Sequence, residues 1–229
     1  HDELHALEEI DNYQDIHFMP CKEQDVIRFV SKIIQKAVDE GYDFYDFQVL
    51  SPMYQGAAGV DAINEALQNL LNPKAENKPE VRIYQHIFRE GDKVLQLKNR
   101  PDDNVFNGDI GIIIEIQKKD GFYYQQDKIF VDFEGDIVEY TSQDFNQLTL
   151  AYCMSIHKAQ GSEFKIVVMP FVFRHGRMLK KNLIYTGMTR AKQALFLIGE
   201  KQAFISGIAH NENKRETTLK ECFIQKEAL

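Results

Sequence analysis

Nothing in this sequence supplies a phosphate-cradling loop. The pattern GxxxxGK[ST] needs two glycines five positions apart, and none of the 13 glycines meets that condition. No apolar strand ends in Asp-Glu either; the nearest approach, IIIE at 112–115, lacks the aspartate. Cysteine is scarce. Cys21, Cys153 and Cys222 form no CxxC and leave an odd count. That excludes a disulfide framework, suits a reducing, cytoplasmic setting, and offers no metal site. No apolar run approaches the roughly 20 residues that a membrane span needs, and no leader pattern is visible. An excess of positive charge is missing too. The formal net charge of −8 excludes a uniformly basic nucleic-acid binder.

What is present is unevenly distributed. The 229 residues are 44% hydrophobic, enough to bury a sizeable core. Residues 1–50 hold twelve acids against four bases. Residues 151–200 hold eight bases against only Glu163 and Glu200. The whole-chain charge therefore hides one basic segment.

Hydrophobic spacing predicts a helix over 22–40, from Val26, Phe29, Val30, Ile33, Ala37 and Val38, stopping at Gly41. DFQVLSP (46–52) reads as a short strand, 59–71 as a second helix, and NPKAENKPE (72–80) as a linker. From Glu90 to about Gln147 strand patterns dominate. They are divided by turn signals at Asn107-Gly108, Asp120-Gly121 and Glu134-Gly135. These strands are expected to form an autonomous small antiparallel barrel. After Leu148 the chain alternates: TLAYC as strand, MSIHKAQ as helix, KIVVMP as strand, NLIYTGMTRAK as helix, ALFLIG as strand. That alternation predicts a parallel sheet with crossover helices. The expected division is an α/β domain of 1–87 and 148–229 interrupted by a barrel at 88–147.

The chemistry concentrates in AYCMSIHKAQGSEF (151–164) and NLIYTGMTRAK (182–192). Loops beyond the carboxyl ends of parallel strands face ligand crevices, which makes Ser155, His157, Lys158, Gly161, Glu163 and Arg190 candidates. Singly each has a plain reading: a capping histidine, a solvated glutamate, a charged helix face. Their order and spacing, with 33 residues from His157 to Arg190, raise them above that.

The two stretches resemble motifs V and VI of superfamily 1 helicases. QVLSPMYQGAAGVDAINEALQ and GDKVLQLKNRPDDNVFNGDIG narrow the resemblance to RecD-like 5′→3′ DNA helicases. The resemblance implies a RecA-like α/β domain of the P-loop NTPase type, lacking the P-loop and carrying an inserted SH3-like β-barrel. It implies that Arg190 reaches the γ-phosphate of ATP on a partner domain, with Gly161 and Glu163 also near the nucleotide. It implies that Ser51, Pro52, Ser155, His157 and Lys158 lie near single-stranded DNA, with Tyr123 and Tyr124 as barrel candidates. ATP and Mg²⁺ would serve the whole enzyme, the metal and phosphate-cradling parts belonging to an N-terminal RecA-like domain. The start at His1 then makes this chain a C-terminal piece, inactive alone, with no membrane role. A non-catalytic DNA-binding module of the same fold, or a Pif1-like or relaxase-linked helicase, is the alternative.

Overall fold

The computed structural model describes residues 15–123 and 125–209. Tyr124 and Cys222 lie outside them. The described chain opens with β1 (Ile16–Pro20), a 3-10 turn at Glu23–Asp25 and α1 (Val26–Asp39). α1 buries Val26, Val30, Ile34 and Ala37, a stripe at spacings of four, four and three. β2 (Phe47–Ser51) follows, buried along its whole length. α2 (Val60–Leu71) starts after Gly59, where a Cβ would sit 2.4 Å from the Tyr54 carbonyl oxygen. Only glycine fits that approach.

A hairpin of β3 (Glu80–Ile83) and β4 (His86–Arg89) comes next. Then come β5 (Lys93–Gln96), β6 (Ile110–Gln117), β7 (Lys128–Phe133), β8 (Asp136–Thr141) and β9 (Leu148–Leu150). The last five form one antiparallel sheet in the order β8-β7-β6-β5-β9. Glu134 and Gly135 both have positive φ, at 53° and 112°, as a two-residue hairpin turn requires. The chain ends its described course with β10 (Cys153–Ser155), β11 (Phe164–Phe171), a 3-10 segment Phe173–Met178, α3 (Lys181–Met188), β12 (Ala191–Gly199) and α4 (Lys201–Ala209). A parallel sheet in the order β1-β12-β11-β2-β10 unites both ends of the chain.

Apolar residues cover both faces of that sheet. On one side α3 and α4 pack through Leu183, Ile184, Ala203 and Phe204. On the other, α1 and α2 pack through Val30, Ile34, Ile63 and Leu67. This second cluster does not stop at the sheet. It runs on through Val94, Ile113, Ile129, Val131 and Tyr140 of the barrel, so barrel and helical layer share one core. That continuity bears against a barrel that folds by itself.

Four element assignments also need correction. TLAYC is not one parallel strand: Leu148–Leu150 pairs antiparallel with β5, and Cys153–Ser155 pairs parallel with β2. MSIHKAQ is the end of β10 followed by a turn, because its apolar residues Ile156 and Ala159 sit three apart for only a single turn. α3 ends at Met188, so Arg190 lies in the following turn and Lys192 on β12. The β3–β4 hairpin begins inside the stretch read as a linker; Pro79 and the left-handed Tyr84 (φ 53°) masked its alternation.

Where the chain leaves for the barrel and returns from it, the junction is polar and buried. Lys93 is fully enclosed, and its ammonium donates to the Phe47 carbonyl at 2.9 Å and to Gln48 Oε1 at 3.0 Å. The Gln48 amide in turn donates to the carbonyls of Ala151 and Tyr152 at 3.0 and 3.2 Å. The neighbouring Asp92 carboxylate accepts from Gln68, Asn72, Tyr152 Oη and the Arg89 amide. Asn64 exchanges two hydrogen bonds with the Cys153 backbone. Burial alone pulls the Lys93 ammonium down to about 7 and pushes the Asp92 carboxyl up.

Candidate functional site

The parallel sheet has two edges, and the candidate residues divide between them. At the carboxyl edge, Ser51 and Ser155 are partners in register on β2 and β10. Both are buried, as is Pro52. The Ser51 hydroxyl donates to the Ala58 carbonyl at 2.8 Å, which pins the loop between β2 and α2. It anchors the loop, its hydroxyl engaged by a backbone carbonyl. The Ser155 carbonyl accepts from the Lys158 amide at 2.9 Å and opens the turn that follows.

That turn carries the exposed His157 and the partly exposed Lys158. The Lys158 ammonium donates to Asn107 Oδ1 of the barrel at 3.2 Å. Among the described residues a neutral amide is its only side-chain partner, and no carboxylate lies within ion-pair distance to compensate the charge. His157 and Gln160 line a small pocket with Met178, Lys180, Asn182, Leu183 and Thr186.

At the amino edge, Gly161, Ser162, Glu163 and Arg190 come together. Gly161 has φ 93°, a left-handed value that glycine adopts without strain, and open space around it. The Phe164 amide donates to the Arg190 carbonyl at 2.8 Å, clasping the two motif stretches where β11 and β12 begin. The guanidinium is held from three sides: Nε to the Thr186 carbonyl at 3.1 Å, Nη1 to the Ser162 carbonyl at 3.2 Å, Nη2 to Thr189 Oγ1 at 3.0 Å. All three acceptors are neutral. A guanidinium has five N–H donors, so two remain, and the full positive charge is oriented without being neutralised. Glu163 pairs with Lys192 at 3.0 Å, both side chains more than half exposed.

The expected crevice at the carboxyl ends therefore holds only part of the set. Gly161, Glu163 and Arg190 sit at the opposite edge. Ser155 is level with Ser51, while Phe164 starts two residues before the partner of Phe47. The segment between them descends six residues of strand, roughly 20 Å at ~3.3 Å per residue.

Several features escaped the sequence reading. Asn107, read as a turn residue, is the partner of Lys158. Tyr54 stands 53% exposed on the loop after β2. Tyr123 is exposed at the barrel tip, with no contact to the motif residues. A further surface cleft lies elsewhere, between α2 and the β3–β4 hairpin, and is lined by Asp61, Glu65, His86 and Arg89. Among the described residues no group of three His, Cys, Asp or Glu side chains is placed to hold a metal ion. No described helix is long and apolar enough to cross a membrane.

Comparison with known proteins bears on both edges. Residues 63–133 match the family described as the ATP-dependent RecD-like DNA helicase SH3 domain. Residues 150–198, which carry both motif stretches, match the UvrD-like helicase C-terminal domain. The chain is 37% identical over 174 residues to the ATP-dependent RecD2 DNA helicase of Deinococcus radiodurans, covering 76% of this chain and 23% of that protein. It is 27% identical over 194 residues to the RecBCD enzyme subunit RecD of Buchnera aphidicola, covering 81% of this chain and 30% of that protein. The chain thus spans less than a third of the length of these relatives. Its fold is shared with a Pif1 helicase solved in a study of DNA unwinding at forked double-stranded DNA. The TM-score is 0.51 at 14% identity, over 91% of this chain and 53% of that one. An α/β domain with motif-bearing edges, a barrel matched by the RecD-like SH3 model and similarity to RecD2 identify this chain as a member of the RecD-like superfamily 1 helicases, corresponding to the second RecA-like domain and its SH3-like barrel.

Proposed function

We propose that this chain is the second motor domain of an ATP-driven DNA helicase that moves 5′→3′ in the cytoplasm. One observation carries the reading: Arg190 is held by three neutral oxygens with no carboxylate partner among the described residues, beside Gly161 and Glu163. A partly exposed charge kept unneutralised suits a phosphoryl group brought from outside. In phosphoryl transfer, charge spreads over the γ-phosphate oxygens, and a preorganised guanidinium stabilises that charge without reorganising. Glu163, exposed at the same edge, is suited to accept from ribose hydroxyls.

The rest of the nucleotide site has to come from another domain. This sequence has no phosphate-cradling loop, and its described residues do not fit a Mg²⁺ ion. An N-terminal RecA-like domain supplies both. Single-stranded DNA runs along the carboxyl edge, where Lys158 meets its backbone and His157 lies close by. Ser51, Pro52 and Ser155 shape that edge from beneath.

A non-catalytic DNA-binding module would have no use for the clasp around Arg190. A Pif1-like assignment draws support from fold alone, whereas similarity in sequence runs to RecD2. The test is ATP hydrolysis with and without single-stranded DNA. The chain alone should stay at background, and the full-length protein containing it should be stimulated by DNA. Turnover by the chain alone, or none by the full-length protein, would overturn the reading.

A further inference from the structure

Motifs V and VI do not account for the most basic stretch of the chain. Residues 173–181 read FRHGRMLKK: four cations, no acid, in a sequence of net charge −8. They follow β11 at the carboxyl edge, the edge assigned above to DNA. Phe173 is 60% exposed, and Arg174 and Arg177 are also exposed.

This stretch is built, not loose. His175 is buried; its Nδ1 accepts from the Val172 amide at 3.4 Å. Burial holds the ring neutral, its pKa pulled down to about 4. The Ala58 carbonyl, which the Ser51 hydroxyl also holds, lies against that ring. Gly176 takes φ 45° and turns the chain so that Arg174 and Arg177 flank the anchor. Arg174 lies over the loop after β2: a Cβ at Gly56 would meet its Cδ at 3.2 Å. Its one carboxylate among the described residues, Glu23, is 3.6 Å away, the arginine exposed and the glutamate half-buried. Arg177 has no carboxylate within ion-pair distance among the described residues.

We propose that Phe173, Arg174 and Arg177 form a second single-strand contact at the carboxyl edge, the arginines on successive phosphodiesters and the Phe173 ring under a base. This rests on the reading of that edge as the DNA side and adds residues to it. Charge complementarity favours nucleic acid over an acidic protein face, because an exposed aromatic ring beside two planar guanidiniums is the combination that stacks on bases and grips a backbone.

The test uses the full-length protein and a fluorescent oligothymidylate, with Kd measured across a range of KCl. Arg174→Gln/Arg177→Gln should weaken binding about tenfold near 0.1 M salt. It should flatten the plot of log Kd against log salt by about 1.4, at ~0.7 per phosphate contact on a single strand. Arg174→Lys/Arg177→Lys should keep most of the slope. Phe173→Ala should weaken binding by a few-fold with the slope unchanged. Lys158→Ala serves as the reference. If Lys158→Ala flattens the slope and the glutamine pair does not, the second contact is wrong and the DNA edge stands. If neither variant changes the slope, the DNA edge itself is wrong. Loss of fluorescent-nucleotide binding in the glutamine pair, with the slope intact, assigns the arginines to nucleotide phosphate and also overturns the proposal.

Discussion

The two edges of the parallel sheet are built on opposite plans. At the amino edge a single guanidinium is fixed by three hydrogen bonds of 3.0–3.2 Å, two of them to backbone carbonyls. At the carboxyl edge the cations Lys158, Arg174 and Arg177 are loosely held, by one amide oxygen, one distant carboxylate and nothing within ion-pair range. A group that must meet a transition state benefits from rigidity, because a misplaced charge loses most of its effect. Groups that grip a moving polymer gain from weak, replaceable partners, since each grip has to be released. On the proposed function, motif residues close in sequence would serve different mechanical demands some 20 Å apart, by the same ~3.3 Å rise per strand residue.

The contrast can be broken most severely by removing what both edges lean on. Replacing 88–147 with a short Gly/Ser bridge should abolish the cooperative thermal transition, because Val94, Ile113, Ile129 and Val131 belong to the core of α1 and α2. A soluble product melting cooperatively would restore the autonomous barrel.

Next in size is Arg190. In the full-length enzyme Arg190→Ala should lower kcat for ATP by roughly 10³-fold with DNA affinity nearly intact. Arg190→Lys should recover little, since a point charge cannot bridge Thr186, Ser162 and a phosphate together. A near-normal kcat would make the two edges equivalent after all.

Lys93 lies between the edges and gives a stability signature. Its ammonium titrates near 7 in the folded chain and near 10.5 when unfolded. Above pH 7 the unfolded state therefore binds more protons than the folded one, and stability rises with pH. This contribution is complete above 10.5 and is lost as pH falls to about 7. Between pH 7 and 9 it amounts to about 2 kcal/mol. Lys93→Met should remove that slope, as read from urea midpoints at the two pH values. An unchanged slope would mean that the lysine is hydrated in the folded protein.

Smaller effects separate the edges by ligand. Lys158→Ala should weaken single-strand binding several-fold and reduce its salt slope by roughly 0.7. DNA stimulation of ATPase should fall while basal turnover holds. Glu163→Gln should raise the KM for ATP a few-fold, leaving DNA affinity without nucleotide unchanged. Its pair with Lys192 is exposed, so the thermal midpoint should barely move. If both variants shift DNA affinity alone, the nucleotide role proposed for Glu163 is wrong.

How much of this was written in the sequence depended on the range of the interaction. Val26, Val30 and Ile34 announced α1 because helical spacing is local. Arg190, Gly161 and Glu163 were legible through their order alone, and they do lie together. Which edge they occupy was not legible, because it depends on where β10 stops and β11 starts against β2. The break inside TLAYC was hidden for a similar reason. Residues 148–155 read as one apolar run, yet β5 claims the first half by antiparallel pairing and β2 the second by parallel pairing. Ser51 looked like a ligand-facing hydroxyl since nothing nearby in sequence competes for it; its acceptor, Ala58, is fixed only by the loop's fold. Gln48, Lys93 and Asp92 gave no signal, because polar residues in strands read as solvent-facing until tertiary packing encloses them.

The divided strand has a consequence for how load is carried. Only Ala151 and Tyr152 separate β9 from β10. A pull on the barrel arrives at these two residues and is shared at once among Gln48, Asn64, Asp92 and the Lys93 carbonyl, which holds the Ala151 amide at 2.9 Å. Bonds loaded side by side must fail together, so the link behaves as a stiff strut and not as a spring. Displacement of the barrel is then delivered to the end of β2, at Ser51, with little lost to stretching on the way.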